Sequence, residues 1–304
     1  MTDFHSGFIA ILGRPNVGKS TLVNALLGQK VAAVSPKAQT TRRRQLGILT
    51  TETYQMVFVD TPGIHNPRHK LGEFLNQEAR EALDGVDAVL WLIDATTDPS
   101  EDDERIAALL PRRTPLVLGL NKMDLVPAET LSARREAYAA IVTREAEVLT
   151  LSATRGDGLA GLLERLISFL PVREAEFDVE QVTDLYEKEI AADLIRESAL
   201  LKLRDEVPHG VAVRIDEFKE RENGMAYIAA TIFVERDSQK GIVIGEGGKM
   251  LKAIGSAART EIESMGGRRV FLELRVKVLK DWRNDEEWLK RFGYKVKKEE
   301  RRKK

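Results

Sequence analysis

The chain has 304 residues, 43% of them hydrophobic and 31% charged, with no cysteine and a net charge of −1. That length predicts about two domains, and the missing cysteines exclude disulfides, thiolate zinc sites and a cysteine nucleophile. Near-neutrality argues, for the chain taken whole, against a polyanion partner. His5, His65, His69 and His209 lack metal-ligand spacing and read as ordinary surface or loop residues. The longest apolar runs, Phe8–Leu12 and Ala88–Ile93, fall far short of the ~20 residues of a membrane helix. No leader pattern is evident, so a cytoplasmic location is expected.

In chain order, short apolar runs alternate with helical patterns through the first 170 residues. Phe8–Leu12, Tyr54–Val59, Ala88–Ile93, Pro115–Leu120 and Val148–Leu151 read as strands. Several are too uniformly apolar to have a wet face, which marks a mostly parallel sheet covered on both sides. Helices are expected near Ser20–Leu27, Leu71–Leu83, Glu101–Leu110, Ala128–Arg144 and Leu159–Leu170. The alternation predicts a doubly wound α/β domain over residues 1–172. Pro171 stops the last helix, and the acidic stretch beyond it suggests a linker at 173–180.

From 181 to 304 the order changes. A long amphipathic helix (about Asp184–Asp205) stops before Pro208–Gly210, and strands Val211–Phe218 and Met225–Val234 join through an Asn223-Gly224 turn. A glycine-rich turn, a helix from about Lys249 to Met265 and a strand Val270–Val278 complete an α+β domain.

Gly13-Arg14-Pro15-Asn16-Val17-Gly18-Lys19-Ser20 matches G-x-x-x-x-G-K-[ST] between a strand and a helix, the context a phosphate loop requires. Backbone N–H groups from Gly13 to Thr21 would face a phosphate, and the helix N-terminus adds its positive end. Lys19 would reach the β- and γ-phosphates, and Ser20 would hold Mg²⁺. Asp60-Thr61-Pro62-Gly63 ends the strand Tyr54–Val59. Its carboxylate can hold Mg²⁺ through water, and the Gly63 N–H can meet a γ-phosphate oxygen.

Asn121-Lys122-Met123-Asp124 ends another strand. The Asp124 carboxylate accepts two hydrogen bonds at once, and guanine offers N1–H and N2–H₂ side by side where adenine offers neither. The expected cofactor is therefore GTP or GDP. Ser152-Ala153-Thr154, at the end of the next strand, would supply a backbone contact to guanine O6.

Together these motifs resemble the translation-factor-like small GTPases over about residues 5–170. The phosphate loop, Gln39-Thr40-Thr41-Arg42 and Asp60-Thr61-Pro62-Gly63-Ile64-His65 are similar to the Era family of bacterial GTPases. That resemblance makes Thr40 or Thr41 the switch threonine on Mg²⁺. Thr41, directly before the arginine, is favoured. It also assigns Asn16 a part in holding a potassium ion. Arg42-Arg43-Arg44 reads as a solvated charge run on a mobile loop. Ile64 stands where many GTPases place a water-orienting glutamine, so slow intrinsic hydrolysis is expected.

Ile244-Gly245-Glu246-Gly247-Gly248-Lys249, with Leu251, Lys252 and Ile254, carries I-G-x-x-G-x-x-L-x-x-I. It sits between helix–strand–strand and helix–strand, the order of a type II KH domain, a class that clamps about four nucleotides on this loop. Glu246 departs from the basic residue often found there, and Lys249 and Lys252 are expected to carry the charge instead. Trp288, Phe292 and Tyr294 read as packing a terminal helix.

A GTPase domain followed by a KH domain resembles the Era arrangement. It implies a monomeric GTPase that binds the 3′ end of small-subunit ribosomal RNA and assists assembly of the small ribosomal subunit. A very slow or non-enzymatic GTP-binding RNA chaperone is the alternative. Charge is uneven along the chain: residues 1–177 sum to −3, 178–240 to −6 and 241–304 to +8, so the argument against a polyanion partner fails for the last 64 residues. The tail Lys295–Lys304 holds seven basic residues and could touch ribosomal RNA or anionic lipid, giving peripheral membrane association as a second expectation.

Overall fold

The computed structural model of the chain describes residues 3–37, 39–144, 146–204, 207–221 and 224–294. Its contacts fall into two units, Met1–Asn66 with Asn76–Tyr186, and Pro67–Leu75 with Glu187–Lys304. Asn223 of the expected turn and the tail from Lys295 lie outside the described residues.

In the first unit the apolar runs become strands: β1 (His5–Leu12), β2 (Gln45–Thr50), β3 (Tyr54–Asp60), β4 (Ala88–Asp94), β5 (Leu116–Asn121) and β6 (Glu147–Thr150). They form one sheet in the order β2-β3-β1-β4-β5-β6. All pairings are parallel except β2 with β3. Helices α1 (Lys19–Leu27), α2 (Lys70–Glu81), α3 (Glu101–Leu109), α4 (Ala128–Ala140) and α5 (Leu159–Ile167) occupy the connections.

Alternate residues of the central strands feed two cores. Ile9, Ile11, Phe58 and Leu90 pack with Val23 and Leu162, whereas Leu12, Val89, Trp91 and Leu118 pack with Ile106 and Tyr138. Burial on both faces is why these strands read as unbroken apolar runs. Strand β2 was not among the expected strands. Its six residues hold a glycine and no apolar run, and antiparallel pairing with β3 supplies the order that composition does not.

Residues 173–180, the expected linker, carry specific contacts within the first unit. Arg173 donates to Ser6 O (2.8 Å) and to Asp87 (2.7 Å), and the N–H groups of Glu176 and Phe177 donate to Gln55. The divide between units falls after Tyr186.

The second unit holds α6 (Glu187–Lys202), β7 (Ala212–Glu220), β8 (Ala226–Val234), α7 (Asp237–Ile244), α8 (Lys249–Gly266), β9 (Val270–Val278) and α9 (Glu286–Arg291). β7 and β8 pair antiparallel and β8 and β9 parallel. Trp282 and Phe292 are buried with Leu289 of α9, and the Trp282 indole N–H donates to Gly210 O at 2.9 Å. The same cluster takes in Leu71, Phe74 and Leu75 from the first half of α2.

Candidate functional site

Parallel pairing brings the C-terminal ends of β1, β3, β5 and β6 to one edge of the sheet, where open α/β sheets hold their ligands. The motifs follow those strands, so residues as far apart in sequence as Val17 and Asn121 meet there. Between β1 and α1, Asn16 adopts a left-handed φ of 65° and its side chain donates to Pro36 O (2.9 Å). The Lys19 ammonium donates to Gly13 O (3.1 Å) and Arg14 O (2.9 Å). Burial lowers its pKa to about 8, with the nearby Asp60 charge opposing the shift. Gly63 comes so close to the loop that a Cβ there would stand 2.5 Å from Pro15 N.

Three oxygens converge beside it. Ser20 Oγ donates to Asp60 Oδ2 at 2.7 Å and lies 2.8 Å from Thr41 Oγ1. Thr40 instead turns to Lys37 O (2.7 Å) and Ser35 Oγ (3.0 Å), so the geometry brings Thr41 to the group. Asp60 is fully buried and its Oδ1 has no hydrogen-bond partner in the protein. Burial raises its pKa, against the pull of Lys19 and of the Ser20 and Gln45 hydrogen bonds. A buried carboxylate oxygen beside two hydroxyls is a hard-oxygen set that suits Mg²⁺.

The base-side residues are held by an Asn121 brace. Its Nδ2 donates to Val17 O (2.8 Å) and its Oδ1 accepts from Ala153 N (2.9 Å), tying the phosphate loop to the Ser152-Ala153-Thr154 loop. Lys122, also left-handed at φ 65°, donates to Asn16 O (2.9 Å) and Asp94 Oδ2 (2.5 Å). Asp124 follows in a short 3₁₀ turn, with a buried Oδ1 that has no hydrogen-bond partner. Ser152 Oγ lies 3.3 Å from Thr154 Oγ1, and Thr154 is exposed.

Replacing Asn121 with alanine leaves a buried carbonyl and a buried N–H unsatisfied. Each costs about 1–3 kcal/mol, so a clear fall in the urea midpoint of unfolding is expected. An unchanged midpoint would show that the brace bears no load.

One sequence expectation shifts here. Arg42 is only 4% exposed, so the basic run is not uniformly solvated. Ile64 is 3% exposed and belongs to the core with Leu12 and Trp91. It therefore offers nothing to an attacking water, as its chemistry suggested. Other partners had no sequence signature. Arg14 donates to Ser100 (3.0 Å) and Thr97 (2.5 Å) and pairs with the buried Asp103, anchoring the phosphate loop to the start of α3. Gln39 Nε2 donates to His65 Nε2 (3.0 Å), whose Nδ1–H donates to Gly63 O (3.0 Å).

In the second unit α7 ends at Ile244. Gly245 turns the chain with φ 72°, and a Cβ there would lie 2.7 Å from Met250 Cβ. Glu246, Gly247 and Gly248 form a 3₁₀ turn into α8. The Glu246 side chain is 91% exposed, 3.6 Å from Lys249, and so points outward. A groove of about 410 Å³ runs from Gly248 between α8 and β9, walled by Leu251, Lys252, Arg259, Phe271 and Leu274. The wall residues of α8 recur at helical spacing, the one cue for them in the sequence.

Fold and site together define a P-loop GTP-binding protein with a mostly parallel sheet, joined to a KH domain. Residues 8–122 match the family described as 50S ribosome-binding GTPase, and residues 206–283 match the KH domain. GTPase Era of Ruminiclostridium cellulolyticum is 46% identical over 97% of this chain and 99% of its own. GTPase Era of Geobacter metallireducens is 48% identical over 96% and 98%. A crystal structure of Era in complex with MgGDPNP and nucleotides 1506–1542 of 16S ribosomal RNA matches with a TM-score of 0.91 at 39% identity, over 96% of this chain and 100% of that one. The chain belongs to the Era family of GTPases.

Proposed function

We propose that this chain is a GTP-hydrolysing switch whose KH domain binds the 3′ end of small-subunit ribosomal RNA and assists assembly of the small ribosomal subunit. The observation that carries the reading is the pairing, in one chain, of a guanine-nucleotide site with a glycine loop opening onto a basic groove. The family relative bound to MgGDPNP and a 16S ribosomal RNA fragment supports it, because its likeness covers 96% of this chain at 39% identity.

In this reading Gly13, Asn16, Val17, Gly18, Lys19, Ser20 and Thr21 hold the phosphates. Asn121, Lys122, Asp124 and the Ser152-Ala153-Thr154 loop hold guanine. Ser20, Thr41 and Asp60 hold Mg²⁺, which would neutralise phosphate charge. Lys19, Thr41 and the Gly63 N–H meet the γ-phosphate as water attacks it and the bridging oxygen leaves with GDP. With Ile64 buried, no side chain at that position orients the water, and hydrolysis is slow. Asn16, beside Pro36 O, contributes to a potassium site that adds positive charge.

Ile244, Gly245, Glu246, Gly247, Gly248, Lys249 and Lys252 form the RNA clamp. Hydrolysis would release Thr41 and Gly63 from the phosphate. Four residues beyond Gly63 the chain enters Pro67–Leu75, which belongs to the second unit, a short covalent link from the switch segment into that unit.

No helix among the described residues is long and apolar enough to cross a membrane. Cytoplasmic location, a monomeric state and peripheral membrane contact through the basic tail belong to the same proposal.

Multiple-turnover phosphate release, in K⁺ and in Na⁺, with and without an rRNA 3′-end oligonucleotide, tests the reading. Turnover that is faster in K⁺ is expected. Equal rates in the two salts would remove the potassium site, and no turnover in any condition would favour a GTP-binding RNA chaperone.

Lys19 adds a pH prediction. It must be charged to hold phosphate, yet in the free protein it loses its proton near pH 8. Binding above that pH therefore takes up a proton, and GTP affinity should fall as pH rises, approaching roughly tenfold per unit. Calorimetry at pH 9 in buffers of different ionisation enthalpy would show the uptake. Equal heats in all buffers would contradict it.

A further inference from the structure

We propose that Phe271 is a base-stacking residue, the platform that ends the path of a single-stranded RNA along the α8–β9 groove. This rests on the RNA reading above and extends it to a contact outside the glycine loop.

Phe271 is anomalous where it stands. Other large aromatics of this unit, Phe74, Phe233, Trp282, Phe292 and Tyr294, are buried in its core. Phe271 is 51% exposed, the one aromatic of the unit classed as exposed among the described residues. Its neighbours on the open face of the sheet are ion-paired: Arg214 with Asp216, and Arg275 with Glu273.

The ring is also held in place. Tyr227, its register partner on β8, stacks on it with centroids 5.9 Å apart and planes 19° from parallel. The Tyr227 hydroxyl donates to Glu273 Oε2 (2.9 Å), and Arg275 donates twice to Glu273 Oε1 (3.1 and 2.7 Å). This chain of contacts fixes the supporting ring. The Arg221 guanidinium stands 4.9 Å from the Tyr227 centroid and 5.4 Å from that of Phe271, a cation beside an open aromatic face.

Position selects the occupant. Gly248 and Arg259 both line the groove, and the helix between them spans about 16 Å. Three residues separate the end of α8 from the start of β9, so Phe271 lies at the end remote from the glycine loop. A strand clamped at Gly247 and Gly248 and drawn along Lys252 and Arg259 presents its next base at Phe271. Every base has a π-face, so the platform would add affinity with little sequence preference.

The test uses the full chain with Mg²⁺ and a non-hydrolysable GTP analogue, and measures anisotropy of a nine-nucleotide single-stranded RNA. Phe271→Ala should weaken binding about five- to a hundredfold. Phe271→Leu, which keeps apolar bulk on the strand, should lose as much, and Phe271→Trp should bind like the parent. A fluorescent purine analogue, dim when stacked and walked along the RNA, should brighten at one position when Phe271 is alanine. Unchanged affinity in both the alanine and leucine variants, with no brightening anywhere, would overturn the assignment. If Gly247→Asp with Gly248→Asp also bound RNA like the parent, the fault would lie in the RNA reading itself.

Discussion

Aspartates at both Gly247 and Gly248 should abolish RNA binding while GTP binding stays intact, the largest separation of the two activities that a local change can produce. The two glycines sit at φ 57° and 78°, and a Cβ at either meets nothing within 4 Å. Aspartate is among the few residues that visit this left-handed region, so the loop should keep its shape. Its surface, however, gains two carboxylates where phosphates must approach. Like-charge juxtaposition at an interface costs several kcal/mol, which corresponds to a loss of at least ~100-fold. Both substitutions lie in the second unit, so nucleotide affinity should not change. Anisotropy with an rRNA 3′-end oligonucleotide and a fluorescent GTP analogue would measure both. Retained RNA affinity would move the site off the loop.

Asp124→Asn should convert a guanine site into a xanthine site. Asp124 presents a buried carboxylate oxygen with no hydrogen-bond partner in the protein, an acceptor held ready for a donor. Guanine N1–H and N2–H₂ supply two. An asparagine puts an NH₂ against the N2 amino group, donor facing donor, and xanthine relieves that conflict by carrying a carbonyl there. Sites built to hydrogen-bond a substrate reject a mismatched analogue by roughly 10⁴–10⁵ in the best cases. GTP affinity should therefore fall by at least ~100-fold, and that of xanthosine triphosphate should rise. Competition binding of the two nucleotides decides it. A variant still preferring GTP would show that Asp124 does not read the base.

The parts of this protein legible in its sequence are those where one physical demand acts locally. Fully buried strands announce themselves as apolar runs, and a backbone that must cradle phosphate needs Gly13, Gly18 and Lys19 at fixed spacing. Strand β2 had no such signature because pairing with β3 orders it. Helix α7 is short and carries the poor helix former Gly241 within it, and its start depends on Gln239 capping the N–H groups of Glu235 and Arg236. The periodicity of α2 marked a helix but not which core it fills, and its first half proves to pack with Phe233 and Trp282. Long-range partners such as Arg14 with Asp103, or Gln39 with His65, join residues with no spacing to suggest them. Net charge misled most: near zero overall, it conceals a +8 segment that begins at 241, where the RNA clamp is proposed.

The central claim is that nucleotide state governs RNA binding through one chain. The direct measurement is the affinity of the full chain for an rRNA 3′-end oligonucleotide at fixed salt, once with Mg²⁺ and a non-hydrolysable GTP analogue and once with Mg²⁺ and GDP. Binding is expected to be tighter in the GTP-like state by roughly 5- to 150-fold, the ordinary span of coupling between two sites. Equal affinity in the two nucleotide states would contradict the account.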